Sequence, residues 1–275
     1  MKRRELLGTF VLGGMALRFG LANAQSYSEF DRLLGSLTPE ELLKTASDRE
    51  FQFRRMAVTE TQGARLNKSN NTISERATKL ITTFEVSSEQ YYRSKLIHPI
   101  WPQGDSGITI GIGYDIGFVS AKTFRNDWKD LLPQKTISIL ETAAQKKAAR
   151  AKELLPNYTH LVVPWDKAQA QFNAFLPYVI GETEAVFPNA KNFKDKSDCR
   201  GALVSLVYNR GSAVANTDRR REMLAIRNHM AARDFKKIPA EIRSMTRLWM
   251  NKGLPGLIER RELEALLFER GLENE

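Results

Sequence analysis

One segment, Ser106 to Gly117, reading Ser-Gly-Ile-Thr-Ile-Gly-Ile-Gly-Tyr-Asp-Ile-Gly, constrains the fold more than any other part of the chain. Apolar residues alternate there with small or polar ones, which is the period of a strand and not of a helix. Run as one strand, Thr109, Gly111, Gly113 and Asp115 share a face, and Ile108, Ile110, Ile112 and Tyr114 share the other. If the chain instead reverses at Gly111 to Gly113, Ile110 pairs with Tyr114 and Thr109 faces Asp115. Either way the hydroxyl and the carboxylate lie on one side, and the glycines keep that side clear for close approach of a large ligand. The pattern alone favours the plainer reading, a structural hairpin whose Thr and Asp satisfy turn hydrogen bonds. A nucleotide loop fits worse, because Gly111-x-Gly113 lacks a third glycine at its offset and no βαβ unit surrounds it.

Around this short β segment the periodicity is helical. Thr72 to Glu75 forms a capping box ahead of Ala77, Leu80, Ile81 and Phe84, which fall on one helix face. Helices are expected at Ala121 to Leu131, Gln134 to Leu154, Lys167 to Val179, Lys196 to Tyr208, Arg219 to Ala231, Ile238 to Met250 and Ile258 to Arg270. A small hairpin within so much helix gives an α+β, mostly helical class, with a cleft where the two parts meet.

The first two dozen residues stand apart. Lys2-Arg3-Arg4, an apolar stretch from Leu6 to Leu17 and Ala22-Asn23-Ala24 read as an export signal over 1–24, too short for a spanning helix. The paired arginines hint at the twin-arginine route. Residues 25–71 read as a leader and linker with one short helix, capped by Thr38 with Pro39 and Glu41 before Leu42 and Leu43. Residues 72–275 form the main domain.

Composition then narrows the chemistry. The chain carries 42 Lys and Arg against 32 Asp and Glu, a formal +10, and removal of residues 1–24 leaves 38 against 31, or +7. Such a balance suits a polyanionic partner. Cys199 is a lone cysteine, and His98, His160 and His229 have no zinc-type spacing, so metal chemistry based on Cys and His is not expected. Arg219 to Arg221 stays open between a solvated helix start and a binding patch. Nucleic acid is disfavoured as a partner, since the chain shows an export signal and no aromatic-basic interleaving.

Glu85 stands at the end of the helix that opens after Thr72, beside Phe84. The negative end of the helix dipole and partial burial both disfavour its charged form, as a proton donor requires. Glu89 reads better as a surface residue laddered to Arg93.

The order Phe84-Glu85 followed by the Ser106 to Gly117 segment resembles the active-site region of phage-type lysozymes, and most closely their pesticin-like branch. In those muramidases a Glu ends the first helix, a Thr-Ile-Gly-x-Gly segment forms the hairpin opposite, and the pesticin-like branch carries an Asp six residues after the Thr, here Asp115. The commoner phage pattern places an Asp six residues before the Thr. Gln103 occupies that position, and Asp105 lies nearby out of register. The resemblance extends through Ala202 to Gly211, Arg221-Glu222-Met223, Trp249, and Gly256 to Arg261 with Glu264-Ala265, spanning roughly Thr72 to Gly271.

The resemblance implies a lysozyme-like domain whose hairpin borders an active-site cleft. It implies cleavage of the β-1,4 bond between N-acetylmuramic acid and N-acetylglucosamine in peptidoglycan, with Glu85 as acid and Asp115 with Thr109 acting at the anomeric carbon. Two-carboxylate chemistry of this kind gives inversion or retention according to the carboxyl separation, and it requires no metal or organic cofactor. The expected partner is the peptidoglycan glycan strand, met by an exported, periplasmic or secreted protein, monomeric and without stable membrane insertion after processing. The competing class is a basic envelope protein that binds peptidoglycan or another polyanion without cleaving it. Intact-mass measurement of the exported protein should find Gln25 as its first residue; an unprocessed cytoplasmic chain would overturn the export reading.

Overall fold

The computed structural model describes residues 29–39, 68–193 and 196–273. The export segment 1–24 and the capping residues Glu41, Leu42 and Leu43 lie outside the described residues. The described chain is mostly helical, with one small two-stranded antiparallel sheet. Helix α1 (Glu75–Val86) is followed by the short α2 (Glu89–Tyr91), which runs into a π-helical turn at Tyr92–Leu96. The hairpin is β1 (Thr109–Ile110) and β2 (Tyr114–Asp115). Helices α3 (Ala121–Trp128), α4 (Gln134–Leu140), α5 (Ala148–Leu154) and α6 (Trp165–Val186) come next, then α7 (Ser197–Arg210), α8 (Arg221–Ala232), α9 (Ile238–Ser244) and α10 (Pro255–Glu273).

Helix α7 is the centre of the molecule. Every residue from Asp198 to Arg210 is buried, the pattern of a helix surrounded on all sides and not of a surface helix with one apolar stripe. It packs against α10, α1 and α6. A Cβ on Gly201 would lie 2.2 Å from Cβ of Ala77, so α1 and α7 touch almost backbone to backbone at this crossing.

Helix α1 presents Ala77, Leu80, Ile81 and Phe84 to the core, the face its spacing predicts. Its cap differs from the expected one. Ser74, not Thr72, is the N-cap, its Oγ accepting from the Ala77 amide at 3.1 Å. Thr72 is turned to a tertiary contact, its carbonyl accepting from the buried Arg200 guanidinium at 2.8 Å.

The expected long helix from Gln134 to Leu154 is broken. Lys147 leaves the helical path to form a β-bridge with Gly107, and Gln145 and Ala148 take positive φ angles of 58° and 52°. Helix propensity there yields to pairing with the edge of the hairpin segment. Helix α6 in contrast runs past the expected end at Val179, with Pro177 inside it.

Residues 29–36 form a helix, where the only helix expected in the leader was the one capped by Thr38. Phe30 and Leu34 are fully or nearly fully buried in the main core, with Leu33 and Leu37 packed on it, an i, i+3, i+4, i+7 set. The polar run expected as a linker is also tied down. The Ser69 amide donates to Pro177 O at 3.0 Å, and Asn71 Nδ2 donates to Glu184 at 2.6 Å. Among the described residues no helix is long and apolar enough to cross a membrane.

Gly201→Ala should destabilise the protein by about 1–3 kcal/mol, because overpacking at the α1–α7 crossing outweighs the roughly 1 kcal/mol gained in helix propensity. Adding Ala77→Gly should restore much of the loss, and denaturant unfolding of the single and double variants measures both.

Candidate active site

The hairpin has the reversed geometry. Thr109 faces Asp115 and Ile110 faces Tyr114, with Gly111 and Gly113 at φ 57° and 73° flanking Ile112 in the turn, a region that costs side-chain-bearing residues and not glycine. Tyr114 fixes the hairpin on α3: its ring meets Phe124 and Trp128 edge-on, and its hydroxyl donates to Asp127 at 2.6 Å.

Asp115 is fully buried, and its carboxylate points into the base of the hairpin loop. Its Oδ1 accepts from the amides of Gly107 and Gly117 at 3.0 and 2.9 Å, and Oδ2 accepts from Gly107 at 3.1 Å. The chain crosses so tightly here that a Cβ on Gly107 would lie 2.4 Å from Gly117 Cα and 2.5 Å from Asp115 Oδ1. Thr109 is buried beside it, its hydroxyl donating to Gly107 O at 3.4 Å. Thr109 and Asp115 therefore lie together, as the spacing predicts, and these bonds to Gly107 and Gly117 are of the kind that holds a hairpin. Asp105 sits in an exposed turn entered through Gln103 at φ 81° and Gly104 at φ 59°. Glu89 is half exposed and paired with Arg93 at 2.6 Å, the surface ladder expected of it.

Glu85 is the residue that the tertiary structure develops most. Its side chain is 11% exposed. One carboxylate oxygen, Oε2, lies 3.4 Å from where a Cβ on Gly113 would be, so the glycine turn and the helix end come together at this carboxylate. The other, Oε1, accepts from Arg260 Nη1 at 3.2 Å. That guanidinium, itself fully buried, also stacks over the Phe84 ring at 5.2 Å from the centroid. A cation at this distance favours the ionised carboxylate, opposing the helix dipole and burial that disfavour it. Two residues on, Ser87 has φ 63° and ψ −72°, and the Ser88 amide donates to Val86 O at 2.8 Å. This is a classic-sense γ-turn, rare and strained for a residue with a side chain.

Arg260 belongs to a wholly buried network that reasoning from the sequence did not place at the site. Arg260 and Arg261 on α10 both donate to Glu264 Oε1, at 3.2 and 2.9 Å. The Ser205 hydroxyl of α7 donates to the same oxygen at 2.6 Å, and Asn209 Oδ1 accepts from Arg261 at 2.9 Å. Two cations are thereby set against two carboxylates, Glu264 and Glu85. The available signal was local: two arginines and a glutamate at i, i+1 and i+4, one helical turn apart, where the apolar run of Leu263, Ala265, Leu266 and Leu267 begins. Tyr208, also on α7, donates its hydroxyl to Ile112 O at 3.3 Å and so ties the hairpin tip to the same helix.

A groove of about 350 Å³ runs between α1 and α6, lined by Thr78, Lys79, Thr82, Gln169, Phe172 and the hairpin-tip residue Ile112. Thr82 stands one helical turn before Glu85. The groove lining mixes hydroxyl, amide, ammonium and, at Glu75, carboxylate groups with an apolar floor.

Of the arginines left open by the sequence, Arg220 donates to Arg210 O, and the segment is tied to α7 and α8 by further contacts. Arg219 O accepts from Arg210 Nη2, and Arg221 pairs with Glu222 at 3.0 Å. Burial and the nearby Arg220 charge pull the Arg210 guanidinium down to about 10. Burial alone would push the Glu222 carboxyl up, yet hydrogen bonds from Arg247 and Arg221 hold it below the usual range. Among the described residues no group of three or more His, Cys, Asp or Glu is placed to hold a metal ion.

Residues 50–186 are similar to a family model described as a domain of unknown function (DUF8812). The matched stretch takes in α1, the hairpin and α6, hence Glu85, Thr109 and Asp115, and ends before α7 and α10. Arg260 and Glu264 therefore lie beyond it. No curated protein matches the chain.

Asp115→Asn keeps an oxygen at the Oδ1 position for both amides, but it removes the charge from those hydrogen bonds and sets an amide NH₂ against the Gly107 N–H where Oδ2 accepted at 3.1 Å. The expected cost is about 1–3 kcal/mol, read as a lowered denaturation midpoint. An unchanged midpoint would show that the carboxylate does not hold the loop.

Proposed function

We propose that the chain is a glycosidase of lysozyme-like fold acting on peptidoglycan, cleaving between N-acetylmuramic acid and N-acetylglucosamine, with Glu85 as the general acid. The observation that carries the reading is the meeting of Glu85 with the glycine turn. A carboxylate at a helix end, slightly exposed, abuts Gly113, a position with no side chain, and a substrate can approach it there closely. A buried guanidinium fixes its orientation, and geometric constraint of an acid is itself a large part of catalysis. The strained turn at Ser87 and the mixed-polarity groove beside Thr82 support the same location. The resemblance of Phe84-Glu85 and of the Thr109 to Asp115 hairpin to the pesticin-like muramidases supplies the substrate class.

In this reading Glu85, protonated from solvent, delivers its proton to the leaving glycosidic oxygen as the C–O bond breaks, a water molecule bonds to the anomeric carbon and gives up a proton, and Arg260 then stabilises the carboxylate that Glu85 becomes. Asp115 and Thr109 shape the hairpin that carries Gly113. For Asp115 to act directly at the anomeric carbon, its carboxylate must exchange the Gly107 and Gly117 amides for water or substrate. An exported location, a monomer and glycan strands as partner belong to the same proposal.

The second reading, a basic envelope protein that binds peptidoglycan without cleaving it, is favoured by one observation: the Asp115 carboxylate is engaged by backbone amides. Glu85→Gln separates the two. The amide oxygen still accepts from Arg260, but the transferable proton is gone, so turnover of purified peptidoglycan should fall at least ~100-fold. Near-normal turnover in a folded Glu85→Gln protein would remove Glu85 from the role, and a wild-type protein that binds peptidoglycan without releasing fragments would establish the binder.

A further inference from the structure

A second groove, of about 320 Å³, lies away from Glu85, where the start of α7, the turn after α8 and the end of α10 converge. Its lining is Lys196, Arg233, Asp234, Phe235, Lys236, Lys237 and Leu272, a formal charge of +3. Asp234 is neutralised within the groove by Lys237 at 2.9 Å, which together with the His229 side holds its carboxyl below the usual range. Arg233 and Lys236 are exposed and have no ion-pair partner among the described residues. Phe235 and Leu272 give the groove an apolar floor. Twelve residues of α10 separate Leu272 from Arg260, roughly 18 Å at the helical rise of 1.5 Å per residue.

We propose that this groove is an accessory site for the carboxylate-bearing stem peptides of peptidoglycan, separate from the cleft at Glu85; the proposal rests on the peptidoglycan reading above. Clustered cations in a concavity concentrate the local field and attract a carboxylate more strongly than the same charges scattered on a convex surface. The apolar floor distinguishes the ligand further. A peptide rich in alanine offers methyl groups to Phe235 and Leu272 and carboxylates to Arg233 and Lys236, whereas a bare phosphate polymer uses only the charges. Arg233 holds its place at the α8 terminus with φ 61°, so its side chain departs from a fixed backbone position.

The test measures co-sedimentation with purified sacculi freed of other wall polymers, at low salt, in the Glu85→Gln background so that the matrix is not consumed. Arg233→Asn with Lys236→Glu takes the groove to zero charge, and Asn tolerates the left-handed backbone. Affinity should fall at least tenfold. Lys129→Glu with Lys135→Asn, exposed on another face, changes net charge equally and should leave affinity within twofold. On glycan strands stripped of stem peptides the groove variant should bind like its parent. Equal loss in both charge variants, no loss in the groove variant, a loss that persists on stripped strands, or absence of parental binding to sacculi would each overturn the proposal. Failure of the glycosidase reading shows separately, as turnover unaffected by Glu85→Gln.

Discussion

Two arginines on one turn of α10, both fully buried, set the terms for the rest of the structure. A guanidinium cannot leave water without compensating charge and acceptors, and losing one partner of a buried pair costs about 3–5 kcal/mol. Compensation comes from three directions: Glu264 on the same helix, Ser205 and Asn209 on α7, and Glu85 at the end of α1. The apolar contacts among these helices are non-directional, and similar ones would form in more than one register. Charge balance admits far fewer arrangements. The network thus fixes how α10 sits on α7 and, through Arg260, where the Glu85 carboxylate points.

The hairpin is fixed by a second and independent device. Asp115 gathers the amides of Gly107 and Gly117 around one carboxylate, and the crossing is too close for any side chain at those glycines. Tyr114 holds the outer side on α3, and Tyr208 holds the tip on α7. The glycine turn is consequently rigid where it meets Glu85. The Glu85 carboxylate and the turn beside it are thus positioned by helices and a short sheet instead of by loops, which keeps their relative geometry well defined.

The two devices converge on α7. It carries Ser205 and Asn209 to the arginines and Tyr208 to the hairpin, and Gly201 lets α1 close against it. The similarity to a domain of unknown function ends at residue 186, before this helix begins. The guanidinium that holds Glu85, and the α7 and α10 groups that hold that guanidinium, are therefore supplied from beyond the matched stretch.

Local chemistry determined much of this from the sequence alone. The period of two between Ser106 and Gly117 was enough to set Thr109 and Asp115 on one side whether the chain ran on or reversed; that it reverses, with Thr109 opposite Asp115, is what the structure decided. The apolar face of α1, and Glu85 at its end, followed from helical spacing in the same way. Other features depended on partners distant in the chain. Asp115 and Thr109 share a side in any hairpin, but whether the carboxylate turns outward or inward depends on the Gly107 amide being brought within reach. The break at 145–148 depends on Lys147 bridging to Gly107 forty residues earlier. Arg260 reaches Glu85 across 175 positions of sequence. Propensity and periodicity act over a few residues, whereas the desolvation of a charge is settled only when the whole chain has closed around it. The sequence determined which side chains stand at the helix end and on the hairpin; only the tertiary structure decided which of them are held as structure and which carboxylate remains at the surface of the site.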